Sequence, residues 1–219
     1  LGLVSMVVGA FLAIAQSDIK RMFAYSSISQ VGYIIFALGI GTPLAILGGL
    51  FHLFNHAIFK ALLFLDSGAI EYSTGSRNLK SLGGLNSRLP VTASTSLIGS
   101  MSIAGIPPLN GFWSKLIIII AAIQAGYFGF ALIAILVSIV TLAYYLKFMG
   151  FTFFGKLDTA LLRIKEVPLF MRLSMLILAI ICVLGGLLLI PQFRPFLESA
   201  ANVLLSGKGY AGIVFGAVK

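Results

Sequence analysis

Two histidines and a lysine recur at every fourth position in the stretch HLFNHAIFK, at positions 52, 56 and 60, inside a run otherwise dominated by Leu, Ile, Phe, Ala and Gly. On a helix such residues share one face, and the three would form a ladder with a rise of about 12 Å. Imidazole exchanges protons near neutral pH, so two imidazoles and an ammonium group in file can relay protons. The plainer alternative is that His52 and His56 bond to neighbouring helices while Lys60 snorkels toward a polar boundary.

A second cation sits in GIPPLNGFWSK, where Lys115 follows Pro107, Pro108 and Gly111. Proline removes a backbone donor and glycine permits unusual dihedrals, so the expected helix should break near Pro107 to Gly111. Broken helices inside a membrane occur where the freed backbone is buried in protein or lines water, and a nearby charge then marks an ion site. A proline kink that only shapes packing, with Lys115 reaching an interface, is the alternative.

The elements holding these groups follow from composition. The chain has 219 residues, 59% hydrophobic and 10% charged, with a mean hydropathy of +1.09. That describes an integral membrane protein. Six spans are expected, at about 1–15, 22–40, 44–70, 91–124, 129–151 and 169–190, the fourth too long for one straight crossing and interrupted by IPPLNG. The runs are continuously apolar and do not alternate every second residue, which makes them helices. Leu1 already lies inside an apolar run, so residues upstream are expected to belong to a longer protein or to another polypeptide.

Charge placement predicts orientation. Lys20, Arg21, Arg77, Lys80, Arg88, Lys156, Arg163, Lys165 and Arg172 fall on one side of the expected spans, and only Arg194, Lys208 and Lys219 on the other. Nine against three assigns the loops after Ala15, Ile70 and Phe151 to the cytoplasm, in an inner or cytoplasmic membrane or its organellar equivalent. The net charge of +9 is therefore mainly a topology signal; no aromatic-interleaved basic patch points to nucleic acid. Asp66 reads as a group near the cytoplasmic interface, and Lys147 as a snorkelling lysine. Cys182 stands alone in an apolar run, so neither a disulfide framework nor a metal site can be built on it.

AQSDIKRMFAYSSISQVGY, HLFNHAIFKALLFLDSG, LGGL before a proline and AGIPPLNGFWSK together resemble the antiporter-like subunits of respiratory complex I, Mrp-type sodium/proton antiporters and membrane-bound hydrogenases. The likeness is strong from Leu1 to about Gln124 and beyond that rests on hydropathy alone. It implies the second of the family's inverted repeats plus one extra helix, with a half-channel core at 1–128 and two further transmembrane helices and a tail at 129–219, in one membrane domain. The first repeat would come from another subunit or from the rest of a longer chain. Lys60, His52 and His56 match the family's proton-path residues, and Lys115 matches the lysine or glutamate on the broken helix. Asp18, Lys20 and Arg21 match the DIKR turn, which fits an ion-pair corner or a channel mouth. Tyr25, Ser26, Ser27, Ser29 and Gln30 follow the AYSSISQ helix start, where hydroxyls pair helices or hold water.

The function expected is translocation of protons, or sodium and protons, by a subunit of a redox-driven respiratory or hydrogenase-type complex. The alternatives are a redox-free Mrp-type antiporter and a structural membrane anchor. No nucleotide loop, cysteine ladder or haem ligand pair is present, so redox chemistry and cofactors are expected on partner subunits.

Overall fold

Backbone amides among apolar side chains must pair within their own segment, and this chain does so as helices. The computed structural model describes residues 1–157, 159–190 and 194–205. Among these the helices are α1 (Gly2–Ala15), α2 (Ile19–Ile40), α3 (Pro43–Thr74), α4 (Pro90–Ala104), α5 (Asn110–Gln124), α6 (Phe128–Thr152), α7 (Leu169–Leu184) and α8 (Arg194–Leu205), joined by turns and short 3₁₀ segments. Among the described residues there is no strand.

Four helical segments are long and apolar enough to cross a membrane: α2, α3, α6 and Leu169–Leu189, which is α7 with its 3₁₀ extension. α1 and α5 are shorter apolar helices of 14 and 15 residues. The sequence expectation of six spans is thus met by length in four, while the expected fourth span consists of two separate helices, α4 and α5. The tail after Ile190 contains a helix that hydropathy did not announce, α8, with Leu197 and Ala201 buried. Lys208 and Lys219, two of the three cations counted for the far side, lie outside the described residues.

α3 is the hub, packing against α2, α4, α5, α7 and α8, while α1 packs along α2 and α6. α1 and α2 approach so closely that a Cβ built on Gly9 would stand 2.5 Å from the Ser29 nitrogen, and the Ser29 hydroxyl donates to the Met6 carbonyl at 2.8 Å. Small residues permit such an approach where lipid offers no hydrophobic drive. Phe23, Tyr33, Phe51, Phe59 and Phe148 fill the interior, whereas Phe11, Ile35, Leu132, Ile139 and Ile177 face outward as an apolar exterior.

One end of the bundle is tied by charge. The Asp18 side chain accepts the Arg21 backbone N–H at 2.9 Å and caps α2. Lys20 pairs with Glu71 at 2.5 Å, and Arg77 lies 3.4 Å from Asp18 and 3.7 Å from Glu71. Ile19 and Leu79 complete the corner by backbone bonds to Arg77 and Ser17. Lys147 of α6 donates to the carbonyls of Ile14 and Gln16 at 2.8 and 2.9 Å. It therefore caps the C-terminus of α1, where free carbonyls and the negative helix end favour a cation, and it does not reach outward as the sequence reading had it.

Candidate functional site

The interruption between α4 and α5 runs from Gly105 to Leu109, slightly earlier than the expected Pro107 to Gly111. Gly105, at φ 86°, ends α4 in the left-handed conformation that glycine adopts without strain. Pro107 and Pro108 occupy the gap. Gly111 lies in the first turn of α5 with ordinary dihedrals, and its lack of a side chain serves close approach: a Cβ there would overlap the Ser102 carbonyl.

This local chemistry builds a cation site. The Ile103 carbonyl lies in the last turn of α4, beyond which the left-handed Gly105 ends the ladder, so it has no helical donor, and Pro107 has no N–H to offer it. The Lys115 ammonium, 3% exposed, takes the vacancy and donates to Ile103 O at 2.8 Å. It also stands 4.9 Å from the centroid of the Tyr33 ring, within cation–π range. The Tyr33 hydroxyl is itself anchored on α6, by the Ala134 carbonyl and by Ser138 Oγ at 2.9 Å.

His52 belongs to this region. Its Nδ1 lies 2.9 Å from Ser114 Oγ on α5, its ring is 5.7 Å from Tyr33, and its Nε2 is enclosed without a partner. Beside it, Asn55 and Asn110 exchange bonds: Asn55 Nδ2 donates to Asn110 O and Asn110 Nδ2 to Asn55 Oδ1, both at 3.0 Å. Ser102 donates to the remaining Asn110 oxygen. The break is thus tied to α3 by an amide pair that the sequence reading did not single out.

Lys60 occupies a different setting. Its ammonium donates to the Phe23 carbonyl of α2 at 2.7 Å and lies 3.5 Å from the Tyr145 hydroxyl of α6. The rings of Phe23 and Phe64 flank it at 5.8 and 5.9 Å. Phe23 O also accepts from the Ser27 hydroxyl at 3.1 Å, a local back-bond within α2. Beyond Lys60 a hydroxyl cluster continues: Tyr145 OH lies 3.2 Å from Ser26 Oγ, to which Tyr144 OH donates at 2.8 Å. Among the described residues neither ammonium has an acidic partner.

The histidine ladder fans out. His52 meets α5 and Lys60 meets α2 and α6, while His56 is half-buried against Phe59, its Nε2 unpartnered. Each step of four residues turns about 40° past a full turn, so eight residues carry Lys60 about 80° from His52. Asp66, read from sequence as an interface group, is fully buried and accepts from Thr95. Gln30 of the AYSSISQ start is also enclosed, with both side-chain atoms unpartnered. Tyr144, Tyr145 and Tyr33 were not foreseen. Their only sequence signal is polar tips in otherwise apolar helices, which buried tyrosines must satisfy.

A helical membrane bundle enclosing two ammonium groups, one of them beside a proline-interrupted pair of helices, defines an antiporter-like membrane subunit. The chain belongs to the family described as NADH:quinone oxidoreductase/Mrp antiporter, TM, which matches residues 1–141. It is similar to the A/B subunit of a probable K(+)/H(+) antiporter of Rhizobium meliloti, with 36% identity over 213 residues, 94% of this chain and 21% of that protein. In solved structures it resembles a chain of the Mrp complex from Dietzia sp., with a TM-score of 0.86 and 29% identity over 95% of this chain and 48% of that one. It also resembles a chain of the membrane-bound sulfane sulfur reductase, an archaeal respiratory membrane complex, with a TM-score of 0.81 and 40% identity over 84% of this chain and 31% of that one. The chain therefore spans between about a fifth and a half of the length of these relatives.

Proposed function

We propose that this chain carries a proton-translocating half-channel, in which Lys60 and Lys115 load and release protons and His52 and His56 line the path. The observation that carries this reading is the enclosure of both ammonium groups, whose polar and aromatic partners among the described residues are carbonyls, a hydroxyl and ring faces. An intramembrane lysine costs about 2.5–3.5 kcal/mol even on lenient insertion scales, a cost that packing alone gives no reason to bear. Pro107, Pro108 and Gly111 belong to the site as its architecture: the prolines free carbonyls and the glycine lets α5 close on α4. α1 and the α4–α5 pair supply the two crossings beyond the four long helical segments. Asp18, Lys20 and Arg21 act as a structural corner, since capping and ion pairing account for Asp18 and Lys20 and leave the Arg21 side chain in the open.

The parent assembly is read as a redox-driven complex of respiratory or hydrogenase type, supported by the higher identity to the sulfane sulfur reductase chain. Partner membrane subunits, one of them or a further part of the same protein supplying the first repeat, would complete the path, with cofactors held elsewhere. A redox-free Mrp-type antiporter is the second reading, favoured by the closer superposition on the Mrp complex. Identifying the co-purifying subunits decides between them: iron–sulfur and hydrogenase-like or quinone-site partners mean a redox pump, and small membrane subunits alone mean an antiporter.

The test of the core reading is proton uptake by vesicles containing the assembled complex with Lys60→Ala. Uptake is expected to vanish while the subunits still assemble, and uptake near the wild-type level would refute the role of Lys60. Sidedness is tested separately. A cysteine at Ser87 or Lys80 should react with an impermeant reagent only from the cytoplasmic face, against the low background of a buried Cys182. Labelling from outside would reverse the topology.

A further inference from the structure

We infer that Asp66 is a further proton-holding site, set on a polar seam between α3 and α4 that begins at Glu166 and is distinct from the Lys60 and Lys115 sites. The inference rests on the reading of the chain as a proton carrier. Six residues separate Asp66 from Lys60, and at about 100° per residue they point to different sides of α3. Lys60 faces α2 and α6. Asp66 faces α4, where Thr95 and Ser96 adjoin it.

The carboxyl group is fully enclosed, and its Oδ2 has no partner. Burying a carboxylate without a cation is costly, so such a group needs a reason to be there. The bonding at Oδ1 supplies one. Thr95 Oγ1 lies 2.7 Å from Asp66 Oδ1, 3.0 Å from Val91 O and 3.1 Å from Thr92 O. A threonine has a single proton to offer these three acceptors. When Asp66 is ionised, Thr95 donates to it. When Asp66 has bound a proton, the carboxyl O–H donates to Thr95 Oγ1, and Thr95 turns its own proton to the α4 backbone. Both states are bonded, and the exchange requires only the rotation of one hydroxyl.

The surroundings offer the proton a way in and a way onward. At the connector end, Glu166 accepts from Val91 N at 2.9 Å, Thr92 N at 3.4 Å and Thr92 Oγ1 at 2.8 Å, one turn of α4 before Thr95. Toward the break, the Ser96 hydroxyl is enclosed beside Asp66 and the Ser100 hydroxyl is enclosed without a partner one turn on, followed by Ser102 and its bond to Asn110. Unsatisfied polar atoms in a row are where transient water completes the bonding. Among the described residues, the titratable groups on packed elements that act on Asp66 through charge are Glu166 of the connector and Cys182 of α7. On α3 itself Lys60 and His56 turn toward other neighbours.

The test is an infrared pH titration of the reconstituted complex, comparing the wild-type protein with Asp66→Asn. A protonated-carboxyl C=O band that titrates, shifts in D₂O and is absent from Asp66→Asn is expected. Proton uptake should fall on the order of tenfold in Asp66→Asn and recover in Asp66→Glu, as for a lost relay group. Should Asp66→Asn fail to assemble, Ser96→Ala carries the test, because it keeps Asp66 and must displace the band. Absence of an Asp66 band at every pH, wild-type uptake in Asp66→Asn, or displacement of the band by sodium at constant pH each overturns the inference. The band reports on Asp66 whether or not Lys60 transports, so failure here is separable from failure of the half-channel reading.

Discussion

Lys60 and Lys115 lie in one bundle, and both ammonium groups are held by a main-chain carbonyl, yet the carbonyls become available in different ways. At Lys115 the backbone is interrupted: α4 stops at Gly105, which leaves Ile103 O among the terminal carbonyls without a helical donor, and the lysine binds it. At Lys60 the backbone is continuous, and the lysine shares a helical carbonyl, Phe23 O, with the Ser27 hydroxyl while Tyr145 adds a second hydroxyl. The first arrangement binds a donor at the negative end of a helix. The second is a hydroxyl-lined pocket whose members can rotate.

The largest expected difference comes from altering the charge at the break. Lys115→Met should abolish proton uptake, whereas Lys115→Glu should retain part of it, because a protonated carboxyl can still donate to Ile103 O. Equal uptake in the two variants would make the α4–α5 interruption a packing feature. A smaller effect is expected from Gly111→Ala, which places a methyl group against the Ser102 carbonyl and should destabilise the protein by about 1–3 kcal/mol. Because α5 must shift, the variant should weaken uptake through Lys115 while the Tyr145–Ser26–Tyr144 cluster keeps its bonding; thermal unfolding and uptake measured together check this.

Lys147 provides a control for a lysine on helix-end carbonyls without enclosure in the path. Lys147→Met should lower stability by about 1 kcal/mol through loss of the α1 cap, with uptake unchanged. Reduced uptake would mean that capping alone explains the lysines. The smallest change is expected for Tyr145→Phe, a two- to threefold slowing, about 0.5 kcal/mol on the barrier. An effect as large as that of Lys115→Met would move the Lys60 pocket from hydroxyl-assisted to hydroxyl-dependent.

The helices were legible because apolar continuity and charge-rich gaps are local properties, and the starts and stops of α2, α3 and α6 fall close to the expected limits. The two prolines announce an interruption, but Gly105 sets where α4 stops and the first turn of α5 absorbs Gly111. Contacts between distant segments could not be read: Ser26 meets Tyr144 across 118 residues and Asn55 meets Asn110 across 55. The same limit made Lys147 look like a snorkelling side chain and hid the Thr95 partner of Asp66. Each has its partner on a helix whose proximity no local pattern encodes.

α3 is a single helix of 32 residues, about 48 Å from end to end, with no proline beyond its first turn. It carries His52, His56, Lys60 and Asp66 in fixed order, and its last turn places Glu71 in the ionic corner with Lys20 and Arg77. Mechanically it is a rod: a displacement applied at the corner reaches all four groups at once and in phase. α4 and α5, separated at Gly105 to Leu109, are two short levers with a joint, and can answer the same push with different rotations.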